Sequence, residues 1–163
     1  MKTITASAAY LVAAAVFALD RLTKWVIEST MSTYDVHTVI PGLFDIVHAR
    51  NKGAAFSLLA DSNSVWRDVL LIGISTAALL IVGSMLRKAS QLDWPTALAL
   101  SLILGGAVGN LFDRVMFGAV TDFLDFYIGD MHWPAFNVAD SAVVVGSGLL
   151  LLGMWRKQEP ART

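Results

Sequence analysis

Aspartate residues stand beside apolar sequence in the last third of the chain. Asp113, Asp122 and Asp140 each lie at or near the end of an apolar stretch, where an isolated carboxylate is costly to desolvate. Two carboxylates held close together do not both ionise easily and therefore share a proton. One can take a proton from water while the other protonates a leaving group, which is the chemistry of aspartic peptidases. Composition and spacing leave open which two of the three form such a pair.

The residue inventory argues against several other chemistries. The chain has no cysteine, which excludes thiolate catalysis, disulfides and cysteine-ligated metal. Its three histidines, His37, His48 and His132, are far apart and fit no HExxH spacing, so we expect no metal and no other cofactor. The nucleophile-elbow pattern GxSxG is absent. The net charge of -1 argues against nucleic acid as a partner.

Further polar residues recur at helical spacing. Asp20 and Lys24 are four residues apart on one helix face, which suits an ion pair; a structural pair is favoured over direct substrate contact. Asn110, Asp113 and Arg114 follow at i, i+3 and i+4 and again share one face. The glycines that precede them favour close approach of a neighbouring helix.

Two other short motifs carry polar side chains. Asn137 and Asp140, in FNVAD, are three residues apart at the start of an apolar stretch. Asn137 could be an N-cap and Asp140 a first-turn acid, but their place beside other carboxylates favours a functional role. Asn51 and Gly53 belong to NKGAAF, which by itself predicts only a turn.

The elements that must position these residues are membrane helices. Of the 163 residues, 56% are hydrophobic and 15% are charged, against about 25% charged in a typical soluble domain. Four apolar stretches are long enough to cross a bilayer. We expect one membrane domain, 1–163, with spans at about 6–27, 69–86, 95–112 and 138–155 and outer loops at 28–68 and 113–137.

Charge in the connections predicts the orientation. The inner segments hold basic residues in excess over Asp93 and Glu159. The outer segments, counted from Glu28 to Asp68 and from Asp113 to Asp140, hold four basic residues against ten acids. By the positive-inside rule both termini are cytoplasmic, and the acid-rich loops face outward. The inner basic residues are Lys2, Arg87, Lys88, Arg156, Lys157 and Arg162.

The first outer loop has two recognisable parts. Residues 34–49 are rich in β-branched side chains around a Pro41–Gly42 turn, which predicts two short strands. The following segment, Phe56 to Trp66, has the pattern of a short amphipathic helix lying in the membrane interface.

A small proton-coupled carrier is the alternative to an enzyme, but the polar groups gather at one end, and neither internal symmetry nor midplane helix breaks are apparent.

Five motifs in order resemble the lipoprotein signal peptidase family, also called signal peptidase II: DRLTK, NKGAAF, GGAVGNLFDR, VTDF and FNVAD. The resemblance covers nearly the whole chain. It implies an all-α membrane protein of the bacterial inner membrane, with four transmembrane helices, a small periplasmic β-cradle and a short interfacial helix. One departure is Arg21, where glutamine is common in the family. This change puts none of the implied properties in doubt.

The resemblance also implies an activity and roles for residues. Members of the family are aspartic endopeptidases that cleave prolipoproteins before a diacylglyceryl-modified cysteine. The family's catalytic pair falls on Asp122 and Asp140, and Asp113 with Arg114 becomes a supporting salt bridge. Asn51, Gly53, Asn110, Arg114 and Asn137 would line the site, and Asp20 with Lys24 would support its wall. The implied partners are lipidated prolipoproteins and membrane lipid, and we expect a monomer.

Overall fold

Four long helices dominate the chain. The computed structural model describes residues 3–53 and 65–158. In this part of the chain four helices are long and apolar enough to cross a membrane, in agreement with the four apolar stretches of the sequence. A single turn of 3-10 helix, Ala89–Gln91, connects the second and third. The helices are α1 (Ala6–Thr30), α2 (Val65–Leu86), α3 (Trp94–Phe117) and α4 (Val138–Gln158).

Local sequence signals define the ends of α3. The Asp93 side chain accepts the N–H of Thr96 at 2.9 Å, and Pro95 occupies the first turn. The helix ends at Gly118, whose φ of 69° is the left-handed conformation that glycine adopts readily. The helix thus continues past the apolar stretch 95–112 and includes Asp113 and Arg114, which hydropathy alone places at the start of a loop.

Glycine residues bring α3 close to its neighbours α1 and α4. A Cβ atom on Gly106 would clash with the carbonyl oxygen of Ala139 in α4. A Cβ atom on Gly109 would lie 2.5 Å from Oδ2 of Asp20 in α1. The close helix approach predicted from these glycines is therefore present, and it brings polar residues of three helices together at one end of the bundle.

A four-stranded antiparallel sheet covers that end. The predicted hairpin is confirmed: its two strands join at a turn in which Gly42 has a φ of 79°. The other two strands lie in sequence that hydropathy assigns only to the loop 113–137. The interfacial helix predicted between Phe56 and Trp66 falls on residues 54–64, outside the described residues. The strand order is β1 (Val36–Ile40), β2 (Phe44–Asn51), β3 (Val120–Ile128) and β4 (Met131–His132).

The register of β2 against β3 positions two of the predicted site residues. Asn51 pairs with Val120, and Ala49 pairs with Asp122. This pairing brings the end of β2 beside the start of β3. Leu124 of β3 also forms a bridge with Phe136, just before α4, so Asp122 lies close to the start of α4 as well.

Candidate active site

The side chains of Asp122 and Asp140 face the same groove. Asp122 is the third residue of β3, and Asp140 lies in the first turn of α4. Both line a groove of about 940 Å³, together with Asn51 and Arg114. The remaining wall is mostly apolar and includes Trp133, Pro134, Phe136, Val144 and Val145. Of the three aspartates that the sequence left as candidates, these two are the pair that faces a cavity.

Side-chain amides contact both carboxylates. Nδ2 of Asn51 donates to Oδ2 of Asp122 at 2.9 Å, and Nδ2 of Asn137 donates to its Oδ1 at 2.7 Å. Nδ2 of Asn110 donates to Oδ1 of Asp140 at 2.7 Å. Each carboxylate is therefore held by neutral donors, which fix its position without adding a full positive charge.

The surroundings fix the orientation of two of these amides. Nζ of Lys24 lies 3.0 Å from Oδ1 of Asn110, and because an ammonium group can only donate, the other end of this amide must face Asp140. Likewise, the N–H of Gly53 donates to Oδ1 of Asn51 at 2.8 Å, which directs Nδ2 of Asn51 toward Asp122. The backbone at this motif thus orients Asn51, one of the predicted site residues.

Asn137 caps α4 and also contacts both aspartates. Its Oδ1 accepts the N–H of Asp140 at 2.9 Å, and its own N–H donates to Oδ2 of Asp140 at 3.3 Å, a reciprocal capping arrangement. Its Nδ2 donates to Asp122. One side chain therefore both caps α4 and binds Asp122.

A buried charged cluster lies behind the amides. Nζ of Lys24 is 2.8 Å from Oδ2 of Asp20 and 2.8 Å from Oδ2 of Asp113, and all three side chains are fully buried. Oδ1 of Asp20 accepts the N–H of Ala139 at 2.9 Å. The predicted pair of Asp20 and Lys24 is thus present as a structural element that joins α1 to α3 and α4.

Asp113 does not pair with Arg114 as expected. Asp113 contacts Lys24 and Arg21 instead, and Arg114 lines the groove with its Nη1 3.2 Å from the carbonyl oxygen of Asn110. Consecutive residues of a helix point about 100° apart, so 113 faces α1 while 114 faces the groove. Arg21, to which its motif assigns no role, is in direct contact with this cluster.

Burial changes the acidity of Asp122. Desolvation raises the pKa of this carboxyl group from 3.8 to about 6, against the lowering effect of the hydrogen bond from Asn51, while the charge of Asp140 raises it further. Its pKa therefore lies well above that of an ordinary aspartate. Within residues 3–53 and 65–158 no group of three His, Asp or Glu side chains is arranged to hold a metal ion.

Known proteins match this chain over most of its length, and two solved structures also match its fold. It is 56% identical over 153 residues to a lipoprotein signal peptidase of Solibacter usitatus, covering 94% of this chain and 93% of that relative. A lipoprotein signal peptidase of Geobacter sulfurreducens is 49% identical, with 86% of each chain covered. Two solved structures of bacterial membrane enzymes match with TM-scores of 0.83 and 0.81. They are 30% and 32% identical, and the matches cover 99% and 94% of this chain and 98% and 96% of theirs.

The family model described as signal peptidase (SPase) II matches residues 12–156, which is most of the chain. The match spans α1 to α4 and includes every residue of the groove described above. The resemblance drawn from the five motifs is confirmed. The chain therefore belongs to the signal peptidase II family.

Proposed function

We propose that Asp122 and Asp140 are the catalytic pair with which this signal peptidase removes the signal peptide from prolipoproteins. The single observation that carries the assignment is their convergence: two carboxylates from different elements face one groove and are bridged by Asn137. Asp113, the competing candidate, is fully buried and engaged with Lys24 and Arg21. The carrier hypothesis is not favoured, since the family is one of peptidases.

The two aspartates have different surroundings, which supports different roles. Asp122 has its pKa raised to about 6 by burial, so it is suited to hold the proton that the pair shares. Asp140, in the first turn of α4, accepts hydrogen bonds from Nδ2 of Asn110 at 2.7 Å and from the N–H of Asn137 at 3.3 Å. Asp140 is therefore the base that activates water, and Asp122 is the acid.

The reaction then proceeds without a covalent intermediate. Asp140 takes a proton from water, and the water oxygen bonds to the scissile carbonyl carbon while Asp122 gives its proton to the carbonyl oxygen. In the resulting diol, the amide nitrogen receives the proton held by Asp140. The C–N bond breaks, and Asp122 recovers a proton from a diol hydroxyl. The products are a carboxyl group on the signal peptide and the free amine of the modified cysteine.

The groove suits a substrate that is apolar on one side and polar at the scissile bond. Trp133, Val144 and Val145 form an apolar wall beside the carboxylates, which fits a signal peptide and the acyl chains of a diacylglyceryl-modified cysteine. Asn51 and Arg114 are placed to bind carbonyl oxygens of the substrate backbone. We propose that the enzyme acts as a monomer in membrane lipid.

The site faces the periplasm in our proposal, with both termini in the cytoplasm of an inner-membrane protein. The basic residues Arg87 and Lys88, in the connection between α2 and α3, support this orientation. The absence of cysteine makes it easy to test, because a single cysteine can be introduced at exposed Lys88 or at exposed Asp130. A membrane-impermeant thiol reagent applied to spheroplasts should label D130C and spare K88C. The opposite labelling pattern would contradict the orientation.

Cleavage of a lipidated substrate tests the proposed function itself. The purified enzyme in detergent receives one prolipoprotein in two forms, with and without the diacylglyceryl group on its cysteine. We expect shortening of the lipidated form, with the new N-terminus at the modified cysteine, and little or no shortening of the other form. Failure to cleave either form, or equal cleavage of both, would contradict the assigned substrate.

A further inference from the structure

A second set of polar contacts lies on the other side of β3 from the groove. Side chains alternate along a strand, so Thr121 points away from the groove that Asp122 faces. Thr121 is fully buried, and its hydroxyl group donates to Oε1 of Glu28 in α1 at 2.7 Å. A buried hydroxyl bonded to a carboxylate thus connects the residue next to Asp122 to the first helix.

Arg21 holds Glu28 in place. The two residues are seven apart, on the same face of α1, and Nη2 of Arg21 is 3.6 Å from Oε2 of Glu28. The guanidinium group also pairs with Asp113 and lies 5.3 Å from the ring centroids of both Phe112 and Phe117. These contacts with α3 restrict the arginine to one position.

The backbone of Thr121 is held from the opposite direction. Its carbonyl oxygen accepts from Nδ2 of Asn137 at 3.3 Å, the same amide that donates to Asp122. The start of β3 is therefore fixed between α1, through the threonine hydroxyl, and α4, through Asn137. A shift of Thr121 would move Asp122 relative to Asp140, which is carried by α4.

We propose that Arg21, Glu28 and Thr121 form a clasp that positions Asp122 against Asp140. These are positioning residues, because they act through the backbone of β3 and do not face the groove. The ion pair of Arg21 with Glu28 is partly exposed, and such pairs contribute little to stability. This ion pair therefore serves mainly to hold Glu28 within reach of the Thr121 hydroxyl group. This inference rests on the proposed catalytic roles of Asp122 and Asp140.

Threonine variants give the sharpest test. Thr121→Val keeps the shape of the side chain and removes the hydroxyl donor, whereas Thr121→Ser keeps the donor. We expect Thr121→Val to lower kcat about tenfold with KM unchanged, since it removes one hydrogen bond to a charged group and loosens the reacting geometry. Thr121→Ser should retain most of the kcat.

A double-mutant cycle tests whether Thr121 acts through Glu28. Glu28→Ala should lower kcat by a similar factor, and the variant with both changes should be no slower than either single variant. Effects that multiply to about a hundredfold would show two independent contributions and overturn the clasp. Arg21→Gln should have a smaller effect, because the bond between Thr121 and Glu28 remains.

Folding must be measured in the same series. Thermal unfolding in detergent gives the folded fraction of each variant, and kcat is expressed per folded enzyme. An unchanged kcat for Thr121→Val, or a loss that only follows the folded fraction, would overturn the proposal. If Asp122→Asn is inactive and Thr121→Val is unaffected, the clasp is contradicted while the catalytic pair is supported. If Asp122→Asn is active, the catalytic pair itself is contradicted.

Discussion

Neutralising Asp122 should change how the stability of the protein depends on pH. The side chain is 3% exposed, and burial raises its pKa from 3.8 to about 6. A carboxyl group with a raised pKa binds its proton more tightly in the folded protein than in the unfolded chain. Its contribution to the free energy of unfolding is therefore complete below about pH 3.8 and is lost as the pH rises through about 6. About two pKa units at 1.36 kcal/mol each amount to ~3 kcal/mol.

Paired denaturant titrations in detergent measure this contribution. In the wild type, most of this contribution should be lost between about pH 4 and about pH 8, whereas Asp122→Asn should lack it at every pH. The free energy of unfolding of the variant should therefore rise by ~2–3 kcal/mol relative to that of the wild type over this range. Asp130→Asn, in the exposed turn between β3 and β4, is the matched control and should follow the wild type. If wild type and Asp122→Asn showed the same pH dependence, the burial argument for Asp122 would be refuted.

Two further predictions concern the interior that supports the site. Lys24→Met should lower the free energy of unfolding by about 3–5 kcal/mol, because it leaves buried Asp20 without its cation; adding Asp20→Asn should recover part of the loss, and exposed Lys88→Met should change little. Gly109→Ala should lower the yield of folded protein, since its Cβ would lie 2.5 Å from Oδ2 of Asp20, whereas Gly73→Ala has open space and should be tolerated; normal folding of Gly109→Ala would contradict this packing.

Hydropathy and turn chemistry were sufficient to predict most of the fold. Apolar length predicted the four helices, and a Pro41–Gly42 turn within β-branched sequence predicted the β1–β2 hairpin. Strand β3 was not predicted, because acids interrupt its apolar pattern and its partner β2 lies far away in sequence. Such non-local pairing is what makes strand propensity depend on context.

The site residues could be selected from motifs, but their pairing could not. The side chains of Asn51, Asn110 and Asn137 converge on the two aspartates. The partners of Asp113 depend on the rotation of α1 and α3 about their own axes, which an apolar stretch does not encode. For the same reason the contact of Arg21 with Asp113 could not be inferred from its motif.

The most direct test of the catalytic pair is the rate of prolipoprotein cleavage by Asp122→Asn and Asp140→Asn. Both variants should fold and insert, and both should lose activity by a factor on the order of 10²–10⁴, because an amide can neither accept the proton of water nor donate one as an acid. Asp130→Asn, which makes the same change on an exposed turn, should cleave at the wild-type rate. Near-normal turnover by a folded Asp122→Asn or Asp140→Asn would contradict the assignment.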